Sequence, residues 1–519
     1  MIIVFLYFAL GDCIRSITLV RLKQSLLEMK KFTMVSCLLV MTMVVTAQDR
    51  MQVADETVVT NHSVTIKGKS VSYTATTGTQ PVWNEEGKAV AAVHYTYYLR
   101  NDVKNRASRP LIISFNGGPG SGSVWMHLAY TGPKILKVDD EGFPIQPYGV
   151  KDNPNSILDV ADIVFVNPVN TGYSRILDKE TDKKMFFGVN ADITYLAEWI
   201  NTFVTRVNRW ESPKYLIGES YGTTRVSGLA LELQNRQWMY LNGVILVSPT
   251  SLGIDRNGPV GAATRLPYFT AAAWYHKQLP EKLQSKDLDE VLAESESYAI
   301  NDLLPVLAKG GFVKKEERSE AAKMMSMYSG ISEKELLQHN LDMSPSYFWK
   351  ELLRDEGYTV GRLDSRYKGL DRMEAGSRPD FNSELTSWLH SFTPAINYYY
   401  RNVLNYKSDI KYNMFGPVRP WDRTGDNTGE NLRQAMAQNP YLHMMVQSGF
   451  YDGATQYFDA KYTMWQMDPS GKLRDRMSFK GYRSGHMMYL RNEDLISAND
   501  HLREFIQKST PGPGEAAKY

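Results

Sequence analysis

Cysteine is almost absent from the chain. Its 519 residues hold two, Cys13 and Cys37, and both fall in the first tenth of the sequence. Cysteine nucleophiles, cysteine zinc sites and a disulfide framework are thereby excluded for everything downstream, so the remainder must hold together through its core alone. Charge of one sign is lacking too: 59 Lys and Arg stand against 57 Asp and Glu, with no long basic run, which gives no sign of a nucleic-acid partner. The nine histidines form no H-E-x-x-H or comparable pair, so neither a metal nor another cofactor is expected.

A long apolar run is also missing outside the N-terminus. Residues 29–47 open with Met29, Lys30 and Lys31, continue apolar, and end at Ala47 before Gln48, the pattern of a secretory signal peptide read from an internal methionine. The apolar part is short against the roughly 20 residues of a membrane span. The expectation is a leader over residues 1–47, export to the periplasm or medium, and no stable membrane association, with an N-terminal anchor as the alternative.

What is present is an ordinary globular composition, 43% hydrophobic and 22% charged. Residues 48–70 are polar and read as a poorly ordered lead-in. Residues 64–76 and 88–99 alternate and are rich in Thr, Val and Tyr, as edge strands are. Short apolar runs at 111–115, 162–167, 214–217, 241–248, 441–447 and 476–482 read as buried strands, and residues 190–207 and 221–233 have helical periodicity. Strands alternating with helices predict a mostly parallel sheet covered on both faces. From 251 to 425 helical segments dominate (283–308, 314–328, 333–341, 347–355), read as a cap inserted between an N-terminal part, 48–250, and a C-terminal part, 426–508. Residues 398–400 and Trp421 would give the cap an aromatic surface. A closing helix at 497–508 precedes a tail, 509–519, expected to be disordered.

The chain is organised around Ser220. Gly218 and Gly222 flank it as G-x-S-x-G between an apolar strand and a helix, the context of a nucleophile elbow. A serine hydroxyl is a weak nucleophile and needs a base, which needs an orienting acid. His486, in a loop past the last strand, is the expected base. Asp452, in the turn after strand 441–447, is the expected acid, with Asp459 as competitor. A second glycine-rich stretch, Asn116 to Ser123, follows a strand but lacks the lysine of a phosphate loop. It reads as an oxyanion hole, with Gly118 and Tyr221 supplying backbone donors.

These stretches, with Asn153 to Ser156, Val169 to Ser174, Gly449-x-x-Asp452 and Gly485-His486-Met487, occur in one order and spacing that resembles the serine carboxypeptidase family over about residues 110–490. The resemblance implies an α/β-hydrolase fold with a helical cap, and release of C-terminal residues from peptides through an acyl-enzyme. It also implies that Asn116, the Gly117 backbone and Glu219 bind the substrate's terminal carboxylate. A glutamate desolvated beside the nucleophile can stay protonated and donate to that carboxylate. Three positions depart from the pattern: Ser121 replaces a cysteine, Asn167-Pro168-Val169 replaces D-Q-P-V, and Tyr130 replaces a second glutamate, from where it would donate to the carboxylate without a pH switch. Alternatives on the same residues are an esterase, acyltransferase or other peptidase, and a non-catalytic surface or sugar-binding protein with the aromatic-rich cap as its binding face.

Overall fold

The computed structural model describes residues 51–512, 514–516, 518 and 519. The leader expected at 1–47 lies outside them. No helix among the described residues is long and apolar enough to cross a membrane.

Nine strands build the main sheet: β1 (Glu56–Ile66), β2 (Lys69–Trp83), β3 (Ala89–Arg100), β4 (Leu111–Phe115), β5 (Asp162–Val166), β6 (Lys214–Glu219), β7 (Gly243–Val247), β8 (His443–Gly449) and β9 (Met477–Tyr482). Their order is β1-β2-β3-β5-β4-β6-β7-β8-β9, and a two-residue strand, Arg175–Ile176, pairs alongside β3. The first three strands are antiparallel to their neighbours; every pair from β5 onward is parallel. The sheet is mostly parallel, as the alternation of elements predicted.

Strands β4 to β7 are buried along their whole length. Because successive side chains point to opposite faces, each apolar run feeds two cores. Ile113, Leu216, Val244 and Leu246 pack with Leu196, Trp199 and Phe203 of helix Val189–Arg206. Ile112, Tyr215, Ile217 and Ile245 pack with Leu502, Phe505 and Ile506 of helix Asn492–Ser509 on the other side. Each such fully buried large side chain contributes roughly 1.5–3 kcal/mol.

Within residues 48–70, the described part from 51 onward corrects the sequence reading. Instead of a loose lead-in, β1 forms a long hairpin with β2 through Lys67 and Gly68, both at positive φ (46° and 78°). The strand was hidden because it is exposed on alternate residues and its four apolar residues, Val58, Val59, Val64 and Ile66, do not alternate regularly with polar ones. The insertion before β8 has its own core around Phe269, Met325, Leu336 and Phe348. Its later part does not stay separate: Trp388, Phe392 and Ile396 of helix Ser383–Tyr398 join the main core. Tyr399 and Tyr400, expected on an aromatic surface, are buried, and of the three tyrosines only Tyr398 is exposed. The segment 283–308 begins in a short helix, Glu281–Gln284, breaks at 285–287, and then runs on as helix Leu288–Tyr298, a π-helical turn Ala299–Leu303 and helix Leu304–Ala308 without interruption. The tail also touches the body, where Tyr441 Oη donates to the carbonyl of Glu515 at 2.8 Å.

Candidate active site

Parallel strands deliver their carboxyl ends to one edge of the sheet, where ligands of such sheets gather. There Asn116 follows β4, Ser220 follows β6, Asp452 follows β8 and His486 follows β9. In the β4–β6 pair Phe115 lies opposite Gly218, so Asn116 and Glu219 emerge side by side.

The elbow is set by close contact as much as by conformation. Ser220 sits at φ 57°, ψ −127°, between β6 and helix Tyr221–Arg236. Such a backbone costs about 1–3 kcal/mol and persists only where its surroundings hold it. Here a Cβ on Gly218 would lie 2.2 Å from the carbonyl oxygen of Gly222, and one on Gly222 would lie 2.8 Å from that of Phe115. The glycines let strand, turn and helix touch. Beneath them Arg225 is buried, its Nε donating to Asp192 at 2.8 Å and its Nη1 to the Asn116 carbonyl at 2.7 Å, which ties the elbow helix to the glycine-rich loop.

That loop lies against the elbow. A Cβ on Gly117 would stand 2.4 Å from the Tyr221 nitrogen and 2.6 Å from the Glu219 carbonyl, so only glycine fits. Gly118, at φ 110°, continues the turn. The Gly118 and Tyr221 amides donate to no protein acceptor among the described residues outside regular elements.

Asp452 is fully buried and fully used. Its Oδ1 accepts from the amides of Ala454 and Thr455 at 2.8 and 3.1 Å; its Oδ2 accepts from the Thr455 hydroxyl at 2.7 Å and faces His486 Nδ1 at 2.7 Å. Burial opposes charge on His486, but Asp452's charge and hydrogen bond, with Glu219's charge, outweigh it and raise the imidazole above its usual 6.5. The histidine's backbone is fixed on both sides, its amide donating to the Leu363 carbonyl at 2.7 Å and its carbonyl accepting from Ser248 Oγ at 2.8 Å. Ser220 and His486 line one cavity of about 180 Å³, without a hydrogen bond between them. Catalytic hydrogen bonds commonly close only when substrate is bound. Asp459 lies on helix Tyr457–Met467, 3.5 Å from Arg256, and has no contact with His486.

Glu219 lines the same cavity. Its Oε1 accepts from Asn116 Nδ2 at 3.0 Å, and Tyr489 Oη donates to Oε2. Burial raises its carboxyl to about 7, against the opposing effects of His486, Tyr489 and Asn116. With both oxygens taken up by protein donors, the proton of the neutral acid is left for the cavity.

Tyr130 is a correction. It does not line the cavity: its hydroxyl donates to Gln447 Oε1 at 2.7 Å, and its ring stacks on Tyr489 at 4.8 Å. The hydroxyl that reaches Glu219 is that of Tyr489, three residues past His486. Sequence reading missed Tyr489 because its partner is 270 positions away. Ser121, in the cysteine position, accepts from Trp125 Nε1 at 2.8 Å, and Asn167 Oδ1 accepts from the Ser123 amide at 2.8 Å; both departures are absorbed as loop supports.

A cap turn, also missed, closes the cavity. Arg362 and Leu363 line it, and Leu363's amide donates to Glu384 Oε1 at 2.9 Å. Glu384 is buried, its Oε2 has no partner, and burial raises its carboxyl from 4.5 to about 7. An acid raised on folding stabilises fully below its unfolded pKa and loses that contribution as pH climbs through the folded value. Glu384's share of the stability should therefore be lost as pH climbs from about 5 through 7. Glu384→Gln should make the melting temperature fall less steeply with pH than in the parent, its carboxyl being worth roughly 3 kcal/mol across that window. An unchanged slope in thermal melts at pH 5, 6, 7 and 8 would show that Glu384 does not titrate there.

Against known proteins, the family model described as serine carboxypeptidase matches residues 83–472, which include Ser220 and Asp452 and end before His486. The human retinoid-inducible serine carboxypeptidase is 30% identical over 142 residues, 27% of this chain and 28% of its own length. The pheromone-processing carboxypeptidase KEX1 of Kluyveromyces lactis is 31% identical over 144 residues, 27% of this chain and 21% of its own. The chain thus spans less than a third of the length of these two relatives. Among solved structures, the prohormone-processing carboxypeptidase of Saccharomyces cerevisiae superposes with a TM-score of 0.50 at 16% identity, covering 84% of this chain and 92% of that one, a likeness of fold. Sheet order, the serine elbow and its surrounding helices make this an α/β-hydrolase fold. With three quarters of its length matched by the family model, the chain belongs to the serine carboxypeptidase family.

Proposed function

We propose that this chain is a serine carboxypeptidase that releases C-terminal residues from peptides. One observation carries the reading: a buried, neutral-leaning Glu219 bonded to Asn116 shares a cavity with Ser220 and His486. In this mechanism Ser220 Oγ attacks the scissile carbonyl carbon while His486 takes the hydroxyl proton. The oxyanion forms against the Gly118 and Tyr221 amides, each such donor being worth roughly 3–4 kcal/mol. As the C–N bond breaks, His486 returns the proton to the departing amine. Water then attacks the acyl-serine, losing its proton to His486; the ester C–O bond breaks, His486 returns the proton to Ser220 Oγ, and the shortened peptide leaves with a new C-terminal carboxyl.

The terminal carboxylate would lie against Asn116 Nδ2, the Gly117 backbone and the acid proton of Glu219. Asn116 and Tyr489 hold Glu219, and Tyr130 supports Tyr489 from behind. We also read residues 29–47, from their basic, apolar and small-residue pattern, as a leader for export.

The test compares a blocked dipeptide bearing a free C-terminal acid with its C-terminal amide. The acid should be preferred, and its KM should rise as pH passes about 7, where Glu219 ionises and repels the substrate's carboxylate. The amide's KM should not follow. Glu219→Gln, which keeps a donor at every pH, should flatten the rise. Equal cleavage of acid and amide would discard the carboxylate site and leave a broader serine hydrolase.

A further inference from the structure

The cavity holds one cation that the mechanism above leaves without a task. Arg362 lines it together with Ser220, His486 and Glu219. Among the described residues it has no carboxylate within 4 Å and donates no side-chain hydrogen bond, whereas its neighbours Asp364 and Arg366 pair with each other at 2.6 Å. Its charge is felt at His486, where it opposes protonation, and at Glu384.

Its backbone is held. The Arg362 carbonyl accepts from Gly453, next to Asp452, at 3.0 Å. Leu363 is fixed at its amide by Glu384 and at its carbonyl by the amide of His486. Gly361 and Tyr367 close the turn, the Gly361 amide donating to the Tyr367 carbonyl at 2.9 Å. The held backbone roots the side chain at the cavity, where the planar guanidinium fork is pre-shaped for a carboxylate. Arg362 is the one Lys or Arg among the described residues lining the cavity, which also include the apolar Leu385, Trp388 and Met487.

We propose that Arg362 pairs with a carboxylate on the departing residue of the substrate. Two carboxylates could meet it, the main-chain terminus or the side chain of a C-terminal Asp or Glu, and the chemistry of recognition is the same. The inference rests on the carboxypeptidase reading and adds to it a guanidinium fork in the same cavity as Glu219.

The experiment uses the full chain with Arg362→Met and Arg362→Lys. Arg362 is exposed, so neither change threatens the core. Blocked dipeptides ending in free-acid Leu, free-acid Glu and Leu-amide are compared. Arg362→Met should raise KM for free acids roughly tenfold, the scale of one charge-assisted hydrogen bond, and leave the amide untouched, with Arg362→Lys recovering part of the loss. Equal losses for the Leu and Glu acids assign the terminal carboxylate as partner; a loss confined to the Glu acid assigns the side chain.

A second readout needs no turnover. N-acetylleucine or N-acetylglutamate, but not N-acetylleucinamide, should protect Ser220 from fluorophosphonate labelling, and Arg362→Met should raise roughly tenfold the concentration needed for protection by the acid whose carboxylate it meets. A variant that shifts acid and amide alike, or neither, and leaves protection intact overturns the proposal while wild-type preference for the acid still stands. A wild type without acid preference or protection overturns both readings together.

Discussion

Ser220→Ala is expected to lower kcat by roughly 10⁶ while leaving KM for free-acid substrates close to that of the parent. The two parameters should separate because the hydroxyl is used only in bond making, whereas substrate is held by groups the substitution does not touch. Asn116 keeps its hydrogen bond to Glu219, and Glu219 keeps Tyr489. The elbow should survive as well. Its strained φ of 57° is imposed by the contact of Gly218 with Gly222 and by the Ser220 amide donating to the Val247 carbonyl at 3.0 Å, and none of these involves the side chain. Steady-state kinetics with a blocked dipeptide, a thermal melt and fluorophosphonate labelling check this together. Loss of labelling with an unchanged melt is the expected result. A variant that still turned over at a substantial fraction of the parental rate would remove Ser220 as nucleophile, however well placed it is.

What could be read before folding, and what could not, divides along a physical line. The elbow was legible because its requirements are local: two glycines that must touch, an apolar strand before them and a helix after. Asp452 and His486 were legible because parallel strands end on the same edge, so loops after successive strands must converge. Strand boundaries in the buried core agreed to within a few residues, β4 at Leu111–Phe115 among them, since a fully buried strand is an uninterrupted apolar run. Contacts without a local signature were invisible. Tyr489 reaches Glu219 across 270 positions, and the turn at Arg362 meets the catalytic loops only after the cap has folded over them. Tyr130 misled for the complementary reason. Alignment places it where a carboxylate-binding glutamate stands, but a phenol is longer and rigid. Its hydroxyl runs past the cavity to Gln447 and leaves its ring as the surface on which Tyr489 stacks. The hydroxyl that meets Glu219 comes instead from Tyr489, three residues past His486, and no spacing rule announces that.

Asp452→Asn should cost roughly 10⁴ in kcat, though it changes one atom and no shape. The reason lies in how the carboxylate is held. Oδ1 accepts from two backbone amides, Ala454 and Thr455, so the carbonyl oxygen of an asparagine must take that side. Its NH₂ group then replaces Oδ2, facing His486 Nδ1 and the Thr455 hydroxyl. An NH₂ donates, so Nδ1 must accept, and the single proton of the neutral imidazole moves to Nε2. That is the nitrogen that has to receive the proton of Ser220. The base is thus present, correctly placed and in the wrong tautomer. Thr455 cannot restore the geometry, because its hydroxyl proton can turn to the Ser248 carbonyl 2.9 Å away but supplies no negative charge. Loss of Asp452's charge also leaves burial as the dominant influence on His486, so the variant's imidazole should titrate below the parent's. Three measurements separate this from general damage: an unchanged melt, a fluorophosphonate labelling rate reduced in step with kcat, and a histidine titration shifted to lower pH. Near-parental kcat would take Asp452 out of the triad. A lowered kcat with the histidine titrating as before would assign it a structural hold on the loop and leave the tautomer argument without support.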